Sequence, residues 1–186
     1  LGNLVALRGV PPNPRTEAAW GRMAERSSGK DTTTGHWEMC GLVTAEPLPV
    51  FPHGFPEKLV RDFERATGRE VIGNEAASGT EILSRLGEQH LATGKLILYT
   101  SADSVFQVAA HTDAVPLPEL YDACTKARAL CDAYRVGRVI ARPFVGQPGA
   151  FRRTYDRRDF PMPPHGPTLL DALASAGVPV VGLGKI

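Results

Sequence analysis

The sequence predicts an α/β fold. Two observations carry that expectation. Segments of strand character alternate with segments of helical spacing, and the strand candidates are short runs of apolar, branched residues of the kind that lie in a buried sheet. Two of the helix candidates also stop at a glycine, the usual residue after a helix end.

Residues 1–28 are mixed, and Pro11-Pro12-Asn13-Pro14 forces an irregular turn. A polar decapeptide, Gly29–Glu38, follows and reads as a threonine-rich loop, and a proline-rich stretch runs from Pro47 to Pro56. Glu57–Thr67 has helical spacing (Leu59, Phe63, Ala66) and ends at Gly68. Glu70–Gly73 is a short strand candidate. Ser78–Leu86 reads as a helix capped by Ser78 or Thr80, with Ile82 and Leu86 on one face. Lys95–Thr100 is a buried strand candidate. Leu117–Tyr134 is the longest helix, with Leu120, Cys124, Ala127 and Cys131 on its apolar face. Val136–Val145 is a strand, Leu169–Ala176 a helix ending at Gly177, and Val178–Leu183 a further buried strand. Pro161–Pro167 is a second proline-rich stretch. The two such stretches suggest an inserted domain at 47–160, between segments 1–46 and 161–186 of another domain.

The chain has 186 residues, enough for one ordinary domain or two small ones. At 42% hydrophobic and 22% charged residues it reads as globular, and a net charge of +1 gives no reason to expect a nucleic-acid or membrane partner. No run approaches the roughly 18 apolar residues of a membrane span. Cys124 and Cys131 are seven residues apart on one helix face, about 10 Å along the axis, too far for a disulfide. Reduced thiols and a cytoplasmic location are the simpler expectation. The first residue is Leu1 and the last five are Gly-Leu-Gly-Lys-Ile, which suggests an internal piece of a longer protein.

The decapeptide packs a cation, an acid, three hydroxyls and two glycines together, so it reads as a site. Seven arginines (Arg135, Arg138, Arg142, Arg152, Arg153, Arg157 and Arg158) fall within 24 residues against one acid, Asp156. Guanidinium forks match phosphate oxygens, although such a cluster can also be a solvated basic edge. On a strand, Arg138 and Arg142 would share a face about 13 Å apart, too far to grip one small phosphate. RNA binding is a weaker reading, since Phe144, Phe151 and Tyr155 are the only aromatics nearby. Thr100–Ser104 follows a strand, where α/β sheets often bind ligands. Gly182-Leu183-Gly184-Lys185 offers close backbone approach and a charge, without a Walker pattern. His36, Glu38 and Cys40 would share a face if the segment were a strand, but their spacing matches no common zinc pattern. A threonine needs a base or metal to act as a nucleophile, so the residues alone reach a phosphate-handling α/β protein.

In order along the chain, Gly29–Glu38, Val50-Phe51-Pro52, Gly54-Phe55-Pro56, Val71–Asn74, Ala77–Ile82, Tyr99–Val105, Ala109–His111, Val136–Gly146 and Gly182–Ile186 resemble the bacterial phosphopentomutases of the alkaline phosphatase superfamily. The resemblance implies an α+β cap domain inserted into an alkaline-phosphatase-like α/β core. It implies interconversion of ribose 1-phosphate and ribose 5-phosphate, and of the deoxyribose pair, through a phosphothreonine and a 1,5-bisphosphate. By position Thr32 matches the phosphothreonine, which is also a metal ligand. Ser101, Asp103, Val105, Arg138 and Lys185 match residues that hold the pentose phosphate. Two divalent metal ions, typically manganese, and a priming sugar bisphosphate such as glucose 1,6-bisphosphate are implied. The family's other metal ligands lie in segments before Leu1 and after Ile186, so the chain alone is expected to be inactive. Thr33 stands where methionine is commoner, and Arg157-Arg158 where Arg-His is commoner. The competing readings are a cofactor-independent phosphoglycerate mutase-like enzyme, a family that uses serine, and a non-catalytic sugar-phosphate-binding module.

Overall fold

The computed structural model describes residues 3–182 apart from Leu7, Thr16, Ala18, Trp20 and Lys30. In chain order the elements are α1 (Thr32–Met39), α2 (Glu57–Thr67), β1 (Val71–Ala76), α3 (Gly79–Thr93), β2 (Leu96–Thr100), β3 (Val105–His111), α4 (Leu117–Asp132), β4 (Arg138–Val145), β5 (Arg152–Arg153), β6 (Arg158–Pro161) and α5 (Leu169–Ser175). The fold is α/β, as the alternating pattern implies.

The sheet runs β1-β2-β3-β4, with β5 and β6 both antiparallel to β4. β1 and β2 are parallel and joined through α3; β3 and β4 are parallel and joined through α4. Such crossovers need a helix's length of chain. Between these two units, β2 and β3 are antiparallel and need only the turn 101–104.

Alternation along the strands sorts side chains onto two faces. Leu96, Leu98, Phe106, Val108, Val139 and Ala141 meet α2 and α4, whose Phe63, Leu120, Cys124 and Cys131 are fully buried. Phe106 is the hub, with ring centroids 4.7 Å from Phe55 and 5.2 Å from Phe63. Ile97, Tyr99, Ala109 and Phe144 lie on the opposite face with Ile82 and Leu83 of α3. Gly68 and Gly94 end α2 and α3 in the left-handed conformation, a cap that costs other residues strain. At a bulge in β1, the Asn74 amide accepts from the Phe55 N–H (2.7 Å) and donates to the Phe55 carbonyl (3.0 Å), fixing the entry to α2.

Three expectations fail. The decapeptide is not a loop, because Asp31 caps residues 32–39 into a helix. β3 has no counterpart in the pattern reading. All seven of its residues are buried, so polar–apolar alternation disappears, and Gln107, His111 and two alanines dilute the apolar signal. Val178–Gly182 is irregular and exposed, with Val181 79% accessible, because a strand exists only as part of a ladder and no described segment pairs with it. Leu183 lies outside the described residues. All three cysteines are free, and burial pushes the Cys131 thiol up to about 12.

His90 joins α3 to the sheet. Its Nδ1–H donates to the Lys95 carbonyl (2.6 Å), and its Nε2 accepts from the His111 amide (2.8 Å), so its bonding requires the neutral ring. Burial pushes its pKa below the ordinary 6.5. Below that pH the unfolded chain binds a proton that the folded chain refuses. The stabilisation is therefore complete above about pH 6.5 and is lost as pH falls toward the depressed value. The urea unfolding midpoint should drop between about pH 7.5 and about pH 5.5, and His90→Gln should flatten that dependence. Phe106→Ala should destabilise the chain by about 3–5 kcal/mol in the same experiment.

Candidate functional site

Asp31 accounts for the local structure of α1. Its carboxylate accepts from the amides of Thr33 (2.8 Å) and Thr34 (3.1 Å), satisfying two of the four donors that a helix start leaves unpaired. The capped helix gives the three threonines different environments. Thr34 is fully buried, and its hydroxyl lies 3.0 Å from the Asp31 carbonyl and 3.2 Å from that of Gly29. Thr33 is half-buried. Thr32, the first helical residue, is exposed, and its hydroxyl makes no hydrogen bond among the described residues. Lys30 lies outside the described residues.

Helical geometry also disperses His36, Glu38 and Cys40, since residues two apart do not share a helix face. His36 Nδ1 bonds the Thr32 carbonyl (2.6 Å). The Glu38 carboxylate accepts from the amides of Arg26 (2.8 Å) and Ser27 (2.7 Å), and hydrogen bonding from Ser27 and Arg26 lowers its pKa. Among the described residues no three His, Cys, Asp or Glu side chains form a group able to hold a metal ion.

Two close approaches order the segments around α1 and the start of β4. Trp37 is buried with its ring 5.6 Å from that of His165. Leu48 packs on Gly137, where a Cβ would fall 2.7 Å from Leu48 Cδ1, so a larger residue would have to displace that side chain. The same glycine donates its amide to Ser104 Oγ (3.1 Å), and the Arg138 amide donates to the Ser104 carbonyl (3.1 Å). The turn 101–104 is thereby stitched to the start of β4.

A cavity of about 600 Å³ results, lined by Thr32, Thr33, His36 and Trp37 of α1 on one side and by Arg138, Arg157, Asp159 and Pro161 on the other. Residues 32 and 138, more than a hundred positions apart, thus share one space. Asp103 reaches the Arg138 guanidinium at 3.9 Å, and Val105 is the direct register partner of Arg138. Asp103 also lines a smaller neighbouring cavity with Gly29 and Asp31. Ser101 stands apart, in a third cavity with Ser78 and Glu81. Lys185 lies outside the described residues.

Asp159 is what the sequence reading does not single out, and Arg157 stands there only as one of seven clustered arginines. Register places Asp159 opposite Ile140, on the same sheet face as Arg138. Its carboxylate takes Arg157 in a two-point grip (2.7 Å and 2.7 Å) and Arg138 at 3.3 Å. That grip raises the Arg157 pKa. Asp159 lies one residue beyond the arginine-rich window, and its role depends on strand pairing, which no local signal reports. The window is also less uniform than its charge count. Arg135 pairs with Glu46 (2.8 Å), Arg158 stacks on Tyr121 and Phe160, and Phe144 and Phe151 pack on each other rather than stand free for bases.

The cavity therefore offers an unbonded threonine hydroxyl at a helix N-terminus facing a partly neutralised pair of guanidiniums. A helix N-terminus favours negative charge, and guanidiniums favour phosphate, so the arrangement suits a phosphorylated small molecule. No helix among the described residues is long and apolar enough to cross a membrane.

No protein-family model matches the chain. Along its whole length it is 63% identical to a phosphopentomutase of Anaeromyxobacter dehalogenans (strain 2CP-C), 56% to one of Caldanaerobacter subterraneus subsp. tengcongensis and 53% to one of Carboxydothermus hydrogenoformans. The chain is thus a relative of the phosphopentomutases, and it spans about half (48%) of the length of these proteins.

Asp31→Ala should lower stability by about 1 kcal/mol through loss of the cap. Amide hydrogen exchange should quicken at Thr33 and Thr34 while β2 and β3 keep their protection.

Proposed function

We propose that the protein containing this chain is a phosphopentomutase, and that the chain supplies its phosphoryl-carrying threonine and its pentose-phosphate grip. The observation that carries this reading is the shared cavity of Thr32 and Arg138 in a chain at least 53% identical to proteins of that name. Under this reading 47–160 is the cap, and 1–46 and 161–186 belong to the catalytic core.

In the first half-reaction, phosphorylated Thr32 gives its phosphoryl group to the free hydroxyl of a pentose monophosphate. The Thr32 O–P bond breaks as the sugar O–P bond forms, and the hydroxyl proton ends on the threonine oxygen. The resulting 1,5-bisphosphate turns over, and its other phosphoryl group returns to Thr32 with the opposite proton movement. Thr32 is suited to carry the group because its hydroxyl is exposed, whereas that of Thr34 is buried and bonded. Arg138 holds the phosphate that is not reacting. It is better placed for this than Arg157, whose fork is already filled by Asp159. Asp103 orients sugar hydroxyls from beside Arg138, and Val105 sets the position of that turn. Ser101 and Lys185 complete the phosphate grip by resemblance alone.

Divalent metal ions, manganese in this reading, would supply charge neutralisation at the transferring group. The described residues do not form such a site by themselves. Thr32 would be this chain's one ligand, with the others contributed by the part of the relatives' length that the chain does not span. A sugar bisphosphate such as glucose 1,6-bisphosphate would prime Thr32, in the cytoplasm, where pentose phosphates are metabolised.

Incubated with glucose 1,6-bisphosphate, the full-length protein should gain a single phosphoryl group, mapped to Thr32 by mass spectrometry and missing from Thr32→Ala. Labelling at Ser101 or Thr33 instead would overturn the assignment. Arg138→Ala should weaken ribose 5-phosphate binding by about tenfold or more, with a smaller loss for Arg157→Ala. The isolated 186-residue chain should show no turnover with manganese, and robust turnover would refute the division of labour.

A further inference from the structure

Arg157, Arg158 and Asp159 are consecutive, and the chain turns them to two different sides. Arg158 faces α4, where its guanidinium stacks on Tyr121 (5.4 Å to the ring centroid) and on Phe160 (5.1 Å). The Tyr121 hydroxyl donates to the Asp156 carbonyl (2.7 Å). The segment entering β6 is thus pinned to α4 at Asp156 and at Arg158, either side of Arg157. Arg157 and Asp159, two residues apart, face the cavity that holds Thr32 and Arg138.

Arg157 takes both oxygens of Asp159: its Nε donates to Oδ1 and its Nη2 to Oδ2, each at 2.7 Å. Arg138 reaches only one of them, its Nη1 lying 3.3 Å from Oδ2. The carboxylate is therefore shared unequally. Two short parallel bonds are the strong form of an arginine–carboxylate contact, and a single long one is a weak form. On its other side Arg138 has Asp103, at 3.9 Å, beyond hydrogen-bond reach. Two acids flank Arg138, and neither has it in a full grip.

The unequal sharing matters because a phosphate would use the same donors. A carboxylate in a two-point grip on Arg138 would compete with phosphate for them. Arg157 prevents this. With both oxygens taken, Asp159 offers Arg138 only one oxygen, and that one is shared. As a stabilising ion pair the Arg157–Asp159 contact is worth little, since both side chains are partly exposed. Its effect falls instead on the neighbouring guanidinium.

We propose that Arg157 is a positioning residue for phosphate binding: it holds the Asp159 carboxylate off Arg138 and acts on the substrate through Arg138, without touching the phosphate itself. The proposal rests on the reading in which Arg138 holds the phosphate that is not reacting. Arg158 and Tyr121 belong to the same device, since they fix the segment from the α4 side. Without Arg157, Asp159 would turn both oxygens to Arg138 and close it to phosphate.

The test is a double-mutant cycle on ribose 5-phosphate affinity. It is measured by calorimetry on the full-length protein in a Thr32→Ala background, so that the ligand is not turned over. Arg157→Ala should weaken binding by about fivefold, and adding Asp159→Asn should restore it to within about twofold of the background. Asp159→Asn alone should change affinity by less than about twofold, which also shows that the site folds without this carboxylate. The proposal is overturned by undiminished binding in Arg157→Ala. It is overturned too by no recovery on adding Asp159→Asn, the result of a direct contact between Arg157 and phosphate. An equal gain from Asp159→Asn with and without Arg157, the result of two charges acting independently, also overturns it. Arg138→Ala is the reference. Unchanged affinity there sinks the reading of Arg138 and the proposal with it, whereas weakened binding beside an additive cycle leaves that reading standing and overturns the proposal alone.

Discussion

The parallel ladder between β3 and β4 is the constraint on which the candidate site depends. Its register puts Val105 beside Arg138 and runs unbroken to His111 beside Phe144. A slip by one residue would turn Arg138 and Arg142 into the α4 face and bring Val139 and Ala141 out of the core. The hydrophobic face therefore enforces the polar one. Phe106, Val108, Val139 and Ala141 cannot be buried against α2 and α4 unless Gln107, Arg138 and Arg142 point the other way. The short antiparallel pairing of β6 then adds Asp159 to the same face, so the ladder that fixes the first guanidinium also fixes its counter-ion.

Local chemistry builds the opposite wall. α1 is eight residues long, too short to persist alone. It is held by the Asp31 cap, by the Glu38 carboxylate on two amides of the preceding segment, and by Trp37 against His165. These contacts orient Thr32 outward by making Thr34 face inward. The result is a division in which a buried, bonded threonine supplies the anchor and an exposed one carries the hydroxyl proposed to react.

This division also explains what could be read from the sequence. Helices α2 and α4 were legible because one face of each is buried and the other solvated, so Leu59 and Phe63, and Leu120, Cys124 and Cys131, recur at helical spacing. β3 was not legible, because burial on both sides leaves no period to detect and Gln107, His111 and two alanines break the continuous apolar run that marks β2. The strand expected at 178–183 shows the converse: branched residues signal strand propensity, but a ladder needs neighbours, and propensity does not report them. At the site, the decapeptide stood out by composition, yet its three threonines could not be told apart until the helix gave them a phase. Arg138 was singled out by resemblance and then found across a cavity from Thr32. Asp159 was illegible, since its role is defined by cross-strand pairing with β4, which no local pattern reports.

One backbone hydrogen bond has a consequence in time rather than in space. The Leu169 amide, at the start of α5, donates to the Cys40 carbonyl at the end of α1 (2.8 Å). The wall bearing Thr32 is thus tied to a segment made much later. At ordinary rates of synthesis, about 6–25 s separate the emergence of residue 40 from that of residue 169. Throughout that interval the sheet can assemble around β2 and β3 while α1 waits without its tether. The wall that bears Thr32 is made before any strand of the sheet and is tethered only after β6, the last strand, has been made, so the cavity closes no earlier than the sheet is complete.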